Sequence, residues 1–227
     1  MAWHEQLAVF DLETTGVNVE TARIVTAHIG VIDAAGNPTT SWSWLLDPEI
    51  PIPEAATSVH GVTTQHAQKH GSPAAQGVSQ IVETLRELQE SGVPLVIYNA
   101  PYDLTVLDRE AQRHLVEPLV NPYPVIDPLV IDKAVDTYRR GKRTLSVTCD
   151  HYGVELVDAH DASADAIAAG RLAQALARQY GEELGVEAAE LHRLQIAWAE
   201  AQAADFEAYM RRVRDPEFRA TGAWPVR

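Results

Sequence analysis

The run LAVFDLETTG at residues 7–16 constrains the fold of this chain more than any other stretch. Its first four residues are apolar, which is typical of a buried strand, and Asp11 and Glu13 follow at the strand end. Because side chains alternate across a strand, both acids point to the same face. Two like charges side by side need either a cation between them or solvent around them. Taken alone, such a pair favours a solvated strand end, so the other motifs have to discriminate.

The periodicity of apolar residues predicts an α/β domain. Apolar runs indicate five strands, at residues 7–10, 24–32, 39–46, 94–100 and 124–126. Apolar spacings of three and four, together with capping signals, indicate helices at 74–90, after Pro101, after Asp127, and at 144–152, 162–180 and 187–213. A three-strand meander followed by strands that alternate with helices predicts a mixed five-stranded sheet flanked by helices. The loop at 181–188 separates a predicted domain, residues 1–182, from a C-terminal helical extension, residues 183–227.

Composition narrows the function classes. The net charge of −14 over 227 residues argues against a broad basic face that grips nucleic acid, but it permits a small cleft filled by metal ions. The single cysteine, Cys149, excludes an intramolecular disulfide. No apolar run approaches the roughly 20 residues that cross a bilayer, and the N-terminus has no secretory pattern. We therefore expect a soluble cytoplasmic protein with no membrane partner.

Two other interpretations of the N-terminal run can be tested on the sequence. The letters DLETT approach the D-x-D-x-T signature of haloacid-dehalogenase-like phosphatases, in which Asp11 would be a covalent nucleophile. That chemistry also needs a downstream lysine and a late Gly-Asp pair; no Gly-Asp pair occurs, so the sequence disfavours this interpretation. The run EQLAVF at residues 5–10 superficially resembles a sliding-clamp-binding peptide. Because it leads directly into the first strand, we expect it to lie in the core.

Two later segments supply further candidates for chemistry. In YNAPYD, Asp103 falls in the first turn of a helix that Pro101 opens, where the helix dipole alone would favour an acid. In HDASADA, His160 and Asp165 are five residues apart, about 500° of helical rotation, so they would not share a helix face. They converge only if His160 lies in the preceding loop and Asp161 caps the helix.

In chain order, the sequence offers D-x-E on the first strand, N-x-x-x-D opening a middle helix and H-x-A-x-x-D-A opening a late helix. This set resembles the DEDDh 3′–5′ exonucleases of the DnaQ-like superfamily, a group that includes the epsilon proofreading subunit of bacterial DNA polymerase III. The likeness covers about residues 7–178, and secondary matches are SVHGVT at 58–63, VIDPLV at 125–130 and TLSVTCDHYGV at 144–154. Tyr98 and Tyr102 depart from the family pattern, since relatives often have His and Phe there.

The resemblance implies a ribonuclease H-like fold and a site for two divalent metal ions, Mg²⁺ or Mn²⁺. It implies that the metal ligands are Asp11, Glu13, Asp103 and Asp165, with Asp11 bridging both ions, and that His160 is the general base. It also implies that the substrate-binding residues are Leu12, Thr14, Thr15, Gly16, His60 and Asn99. The reaction would release nucleoside monophosphates from 3′ ends by hydrolysis.

Three functional hypotheses follow from the resemblance. The favoured substrate is the 3′ end of single-stranded or frayed DNA, in proofreading or repair. The alternative substrate is RNA or a short oligoribonucleotide, because discrimination at the 2′-hydroxyl depends on pocket shape. A non-catalytic module that binds nucleic acid or a partner is the third hypothesis. The extension carries an apolar stripe with Trp198, Phe206 and Tyr209, which we expect to pack on the domain, with a second copy or a DNA polymerase as alternative partners.

Overall fold

One mixed sheet organises the computed structural model, which describes residues 2–157 and 159–227. Its strands in that part of the chain are β1 (Leu7–Thr14), β2 (Ile24–Ile32), β3 (Pro38–Asp47), β4 (Ser72–Pro73), β5 (Leu95–Val96) and β6 (Val125–Ile126). Their order across the sheet is β4-β3-β2-β1-β5-β6. The pairs β1–β2 and β2–β3 are antiparallel, whereas β1–β5, β5–β6 and β3–β4 are parallel. The predicted α/β class and mixed sheet are confirmed.

The predicted count of five strands is wrong by one, because β4 adds a sixth. This strand has two residues and pairs in parallel with Leu46 and Asp47 at the end of β3. Gly71 permits the close approach, since a Cβ at that position would lie 2.5 Å from the backbone nitrogen of Asp47. A two-residue strand is too short to show the alternating pattern from which strands are predicted.

Helices cover both faces of the sheet. In the described residues they are α1 (Glu54–His60), α2 (Thr64–His70), α3 (Ala74–Glu90), α4 (Ala100–Arg113), α5 (Pro128–Val135), α6 (Leu145–His151), α7 (Ala162–Gln179), α8 (Gly181–Leu184) and α9 (Ala188–Val213). Helix α4 begins one residue before Pro101, which therefore occupies its second position. None of these helices combines the length and apolar character that a bilayer crossing requires.

Strand β1 is buried on both faces. Ala8, Phe10 and Leu12 join a core cluster with residues of α3 and α4, whereas Leu7 and Val9 join a second cluster with residues of α7. This division follows from the period of two along a strand. The apolar part of the run that could have been a clamp-binding peptide lies in the core, since all four residues from Leu7 to Phe10 are fully buried, whereas Glu5 and Gln6 before it are exposed.

Helix α7 lies unusually close to the sheet. A Cβ at Gly170 would be 2.5 Å from Cγ1 of Val9 and 2.6 Å from Cδ1 of Ile32, so a larger residue would push the helix outward. Small side chains extend the same contact, since Ala166, Ala169 and Ala173 are buried. The packing of this helix therefore fixes the position of its first turn relative to the end of β1.

Helix α9 covers the outer edge of β6. His192 Nδ1 accepts a hydrogen bond from the backbone N–H of Val125 at 3.0 Å. Gln195 accepts from the backbone N–H of Asp127 at 2.6 Å and donates to the Val125 carbonyl at 3.0 Å. Edge strands otherwise expose unpaired backbone groups, and here two side chains occupy the place of another strand.

The remainder of the C-terminal segment is divided between packed and exposed parts. Trp198 packs against both core clusters, whereas Phe206 and Tyr209 are each 51% exposed. The chain then returns to the domain, where buried Trp224 donates from Nε1 to Asp127 at 3.3 Å. At the end of the chain, the backbone N–H of Arg227 donates to the hydroxyl of a threonine in α4 at 2.9 Å.

Candidate active site

Acidic side chains from three elements line one open cleft of about 390 Å³. We call Asp11, Glu13, Asp103 and Asp165 the cleft acids. Strand β1 supplies the first two, while α4 and α7 each supply one from the first turn. The full lining is Asp11, Leu12, Glu13, Tyr98, Asn99, Tyr102, Asp103, Leu129, Arg143, Thr144, Leu145, His160 and Asp165. The cleft lies at the carboxyl ends of β1 and β5, where α/β sheets usually bind ligands.

Hydrogen bonds hold both the side chain of Asp103 and the start of its helix, α4. Its side chain is buried, and Oδ1 accepts a hydrogen bond from the backbone N–H of Leu12 at 3.1 Å, which ties α4 to β1. Asn99, just before α4, adopts a left-handed conformation with φ of 65°. The buried Asp127 carboxylate accepts from the backbone N–H groups of Asn99 and Ala100, each at 2.9 Å. Asp127 therefore caps α4 from a neighbouring strand end and fixes its entry angle.

Asp165 and His160 meet through the loop geometry that the sequence predicts. Asp161 caps α7 by accepting from the backbone N–H groups of Ser163 and Ala164, so His160 lies in the preceding loop. The backbone N–H of His160 donates to Oδ2 of Asp165 at 3.2 Å. His160 has φ of 75°, a conformation that is uncommon for residues other than glycine and that clusters at functional sites.

One ligand atom each from Glu13, His160 and Asp165 lies within 4.8 Å of the other two. In addition, Oδ1 of Asp165 is buried and has no hydrogen-bond partner among residues 2–157 and 159–227. A buried carboxylate oxygen without a partner is costly. Asp11 and Asp103 line the same cleft beside this group. Carboxylate oxygens are the ligands that hard divalent cations prefer, so the cleft acids fit such an ion.

The cleft acids raise one another's pKa values. Burial raises the pKa of Asp11 well above its usual range, and the charges of Asp103, Asp165 and Glu13 raise it further. Burial and the charge of Asp165 raise the pKa of Glu13 to about 8. Each group thus holds its proton more tightly than a free carboxyl because no positive charge compensates it.

The other two cleft acids follow the same trend. Burial raises the pKa of Asp103 well above its usual range, against the lowering effect of the Leu12 N–H bond. Burial also raises the pKa of Asp165, against the lowering effect of the His160 N–H bond. Within the described part of the chain, no Lys or Arg forms an ion pair with a cleft acid; Arg143 lines the cleft, but its guanidinium donates to Asp132.

Two of the six predicted substrate-binding residues line the cleft, and four do not. Leu12 and Asn99 line the cleft, whereas the other members of the set, Thr14, Thr15, Gly16 and His60, lie outside its lining. Thr14 and Thr15 are buried, and Gly16 accepts a hydrogen bond at its carbonyl from the Tyr102 hydroxyl at 2.6 Å. The backbone of Thr14 also lies against the His60 ring, where it partly offsets the lowering of the His60 pKa by burial. Whether these four contact a nucleotide stays a prediction.

Several lining residues are absent from the predicted set. They are Tyr98, Tyr102, Leu129, Arg143, Thr144 and Leu145. The two tyrosines depart from the family pattern, yet both make polar contacts: Tyr98 donates to the Arg143 carbonyl at 2.7 Å, and the Tyr102 hydroxyl lies 2.5 Å from Oγ1 of Thr14. The others fall in or beside the VIDPLV and TLSVTC matches, which was the signal available in the sequence.

The sequence of this chain matches a known protein family and several known proteins. The family model described as Exonuclease (RNase_T) matches residues 8–173. A PolC-type DNA polymerase III of Streptococcus thermophilus is 31% identical over an alignment of 173 residues, and the match covers 72% of this chain and 10% of that protein. The PolC-type protein of Lacticaseibacillus paracasei is 27% identical over 182 residues, 80% of this chain and 12% of that protein. The chain thus spans about a tenth of the length of these curated relatives.

Solved structures show the same fold. Exonuclease I of Escherichia coli in complex with a dT13 oligonucleotide matches with a TM-score of 0.65 at 20% identity, over 80% of this chain and 43% of that chain. Exonuclease I of Methylocaldum szegediense matches with a TM-score of 0.61 at 22% identity, over 79% of this chain and 41% of that chain. At these identities, the likeness establishes the ribonuclease H-like fold and nothing finer.

Proposed function

The chain belongs to the exonuclease family, as a DnaQ-like 3′–5′ exonuclease, and from this premise we propose that it removes nucleoside monophosphates from the 3′ ends of single-stranded or frayed DNA. One observation carries the proposal. Four carboxylates and a histidine from β1, α4 and the start of α7 converge in one open cleft, and no Lys or Arg of the described residues forms an ion pair with those carboxylates. A chain gains no stability from such an arrangement unless something positive completes it.

The cleft acids suit two divalent ions, Mg²⁺ or Mn²⁺, held by Asp11, Glu13, Asp103 and Asp165. When bound, such ions would activate water and offset the charge that builds up on a phosphodiester during hydrolysis. The unpartnered Oδ1 of Asp165 and the raised pKa of Glu13 support this assignment, because both report carboxylates that lack a counter-charge. The Leu12 N–H bond restrains the side chain of Asp103, which lines the cleft.

His160 is suited to take the proton of the attacking water. Its ring is exposed at the cleft, and a histidine can exchange a proton near neutral pH. The Asp161 cap and the hydrogen bond to Asp165 hold its backbone in the left-handed conformation, which fixes the origin of the side chain. Leu12 and Asn99, which line the cleft, would contact the terminal nucleotide.

The preference for DNA rests on the relatives. The relatives that match in sequence include DNA polymerases III of the PolC type, and one matching solved structure is exonuclease I with a dT13 oligonucleotide. A DNA polymerase or a second copy of the chain remains the proposed partner of the half-exposed C-terminal part of α9, where Phe206 and Tyr209 lie. RNA remains the alternative substrate.

A labelled-strand assay tests the proposal. Matched 5′-labelled DNA and RNA oligonucleotides are incubated with the protein and Mg²⁺ or Mn²⁺, and the products are resolved by length. We expect a ladder that shortens from the 3′ end, faster on DNA, and none with Asp11→Asn, which keeps the size of the side chain. A faster ladder on RNA would replace the DNA assignment by the RNA alternative. The absence of a ladder on either strand would support the non-catalytic binding module instead.

A further inference from the structure

The loop between α5 and α6 differs in charge from the rest of the chain. We call residues 136–144, with sequence DTYRRGKRT, the basic loop. It carries four cations against one acid, in a protein whose net charge is −14. Among the described residues, Arg139 and Arg143 form ion pairs with acids of the protein, whereas Arg140 and Lys142 form none.

Arg139 and Arg143 anchor the basic loop to a buried acid. Asp132 is fully buried, and its two carboxylate oxygens accept from Arg139 Nη2 at 2.5 and 2.6 Å. Arg143 Nη1 donates to the same carboxylate at 2.7 Å, and the Tyr152 hydroxyl donates to it at 2.8 Å. Arg139 also pairs with Asp136 at 2.8 Å. Both ends of the loop are therefore fixed, which limits the conformations that its middle can adopt.

The middle of the basic loop points outward. Tyr138 is 95% exposed, and Arg140 and Lys142 are exposed as well. Neither of these two cations forms an ion pair or a side-chain hydrogen bond with any residue that the structure describes. An exposed aromatic ring, with two unpaired cations two and four residues after it, offers a π-face for a base and two charges for phosphates.

The basic loop lies at the rim of the active-site cleft. Its last residues, Arg143 and Thr144, and the adjoining Leu145 line the same cleft as the cleft acids. A strand whose 3′ end occupies the cleft therefore lies beside Arg143 and Thr144, and the exposed cations Lys142 and Arg140 are one and three residues before Arg143. The net negative charge of the protein repels polyanions. A local cationic surface beside the cleft is therefore where the phosphates of a bound strand gain the most binding free energy.

We propose that the exposed part of the basic loop binds the strand on the 5′ side of its last two nucleotides, with Arg140 and Lys142 contacting phosphates and Tyr138 stacking on a base. This inference rests on the proposed function, because the strand path is defined by a 3′ end in the cleft. Contacts of this kind do not read sequence, so they would favour length over base identity.

Binding and length dependence test the proposal separately from catalysis. Fluorescence anisotropy follows a 5′-labelled 12-nucleotide strand over a series of salt concentrations, and turnover is measured on that strand and on a dinucleotide. The variants are Arg140→Ala/Lys142→Ala, Tyr138→Ala and Tyr138→Phe. Arg178→Ala is the matched control, since this exposed cation lies in the last turn of α7, about 20 Å of helix from Asp165.

We expect the double variant to bind the 12-nucleotide strand on the order of tenfold more weakly at low salt, and its salt slope to fall by about 1.4. Tyr138→Ala should weaken binding about fivefold or more, whereas Tyr138→Phe should bind as wild type because it keeps the ring. Turnover of the dinucleotide should be unchanged in all of them.

The proposal is overturned if the double variant and Arg178→Ala both bind the strand with the affinity and the salt slope of the wild type, even if the enzyme degrades DNA well. An equal loss of turnover on the dinucleotide and the long strand would also overturn it, because the proposal places Tyr138, Arg140 and Lys142 beyond the reach of a dinucleotide. A different result would separate the two proposals. If the wild type produces no ladder but binds the strand, and the double variant binds it more weakly, the proposed function is refuted and the proposed binding surface is kept.

Discussion

The buried carboxylate of Asp132 and the cleft acids, of which Asp103 is buried and the other three are half-buried, have opposite surroundings in this domain. Asp132 is surrounded by positive and donor groups, from Arg139, Arg143 and Tyr152. The cleft acids lie beside one another, and among the described residues no Lys or Arg forms an ion pair with them. Both arrangements remove carboxylates from water, yet only the first contains its own counter-charge.

This difference distinguishes a carboxylate that stabilises the fold from carboxylates that are available to bind a ligand. A carboxylate that is already paired stabilises the chain around it and leaves no place for a ligand. Carboxylates that raise one another's pKa are a cost in the empty protein, and the cost is recovered only when a cation binds. The following predictions test whether the two groups behave in these opposite ways.

The largest effect is expected from Asp11→Asn. This change removes the cleft acid whose pKa the other three all raise, so turnover should fall by more than the ~10²–10⁴-fold typical of a lost general base. The melting temperature without metal should rise, since the amide is neutral without taking up a proton, and the increase that millimolar Mn²⁺ gives the wild type should disappear. Turnover within tenfold of wild type would contradict the assignment.

His160→Ala should reduce turnover by ~10²–10⁴-fold while the stabilisation by Mn²⁺ persists. The reason is that the cleft acids remain, whereas the proton acceptor is lost. The measurement pairs single-strand turnover with thermal melts at several Mn²⁺ concentrations. Loss of the Mn²⁺ effect would instead identify His160 as a ligand, for which its proximity to Glu13 and Asp165 provides the geometry.

Asp132→Asn should change stability in the direction opposite to Asp11→Asn. It leaves the guanidinium groups of Arg139 and Arg143, each about one-tenth exposed, without their anion, which typically costs about 3–5 kcal/mol. Urea denaturation of both variants without metal gives the comparison directly. A destabilisation by both variants would mean that the cleft acids already have a compensating partner in the folded chain.

The smallest effect is a pH dependence of the metal-free protein. The pKa of Glu13 is about 8 in the folded chain, against its usual 4.5 when unfolded. The folded chain therefore keeps a proton that the unfolded chain has lost, so this contribution to stability is complete below about pH 4.5 and disappears as the pH rises through 8. In melts with a chelator, the stability of the wild type relative to Glu13→Gln should fall between pH 5 and 8. A constant difference would refute it.

Much of the candidate site follows from local geometry. Strand alternation places Asp11 and Glu13 on one face, and the Asp161 cap places His160 in a loop from which it meets Asp165. These are short-range rules that a sequence displays directly. The same holds for the α/β class and for the burial of β1.

The remaining features depend on contacts between distant residues. The left-handed Asn99 is held by Asp127, 28 positions later, and Asp127 in turn accepts from Trp224, 97 positions later. The pairing of β4 with β3 is of the same kind. No local pattern records such contacts, because each partner has an ordinary role in its own segment. The division between residues 1–182 and 183–227 stays a prediction for the same reason.

The side chains of His192 and Gln195 leave the last strand of the sheet with no free backbone groups at Val125. A shortened protein that stops before α9 would expose this edge, together with the apolar surface beneath the helix. Open edges recruit strands from other molecules. Removing the C-terminal segment should therefore yield insoluble, self-associating material instead of a smaller nuclease, and any partner that engages this side of the molecule has to do so without adding a strand.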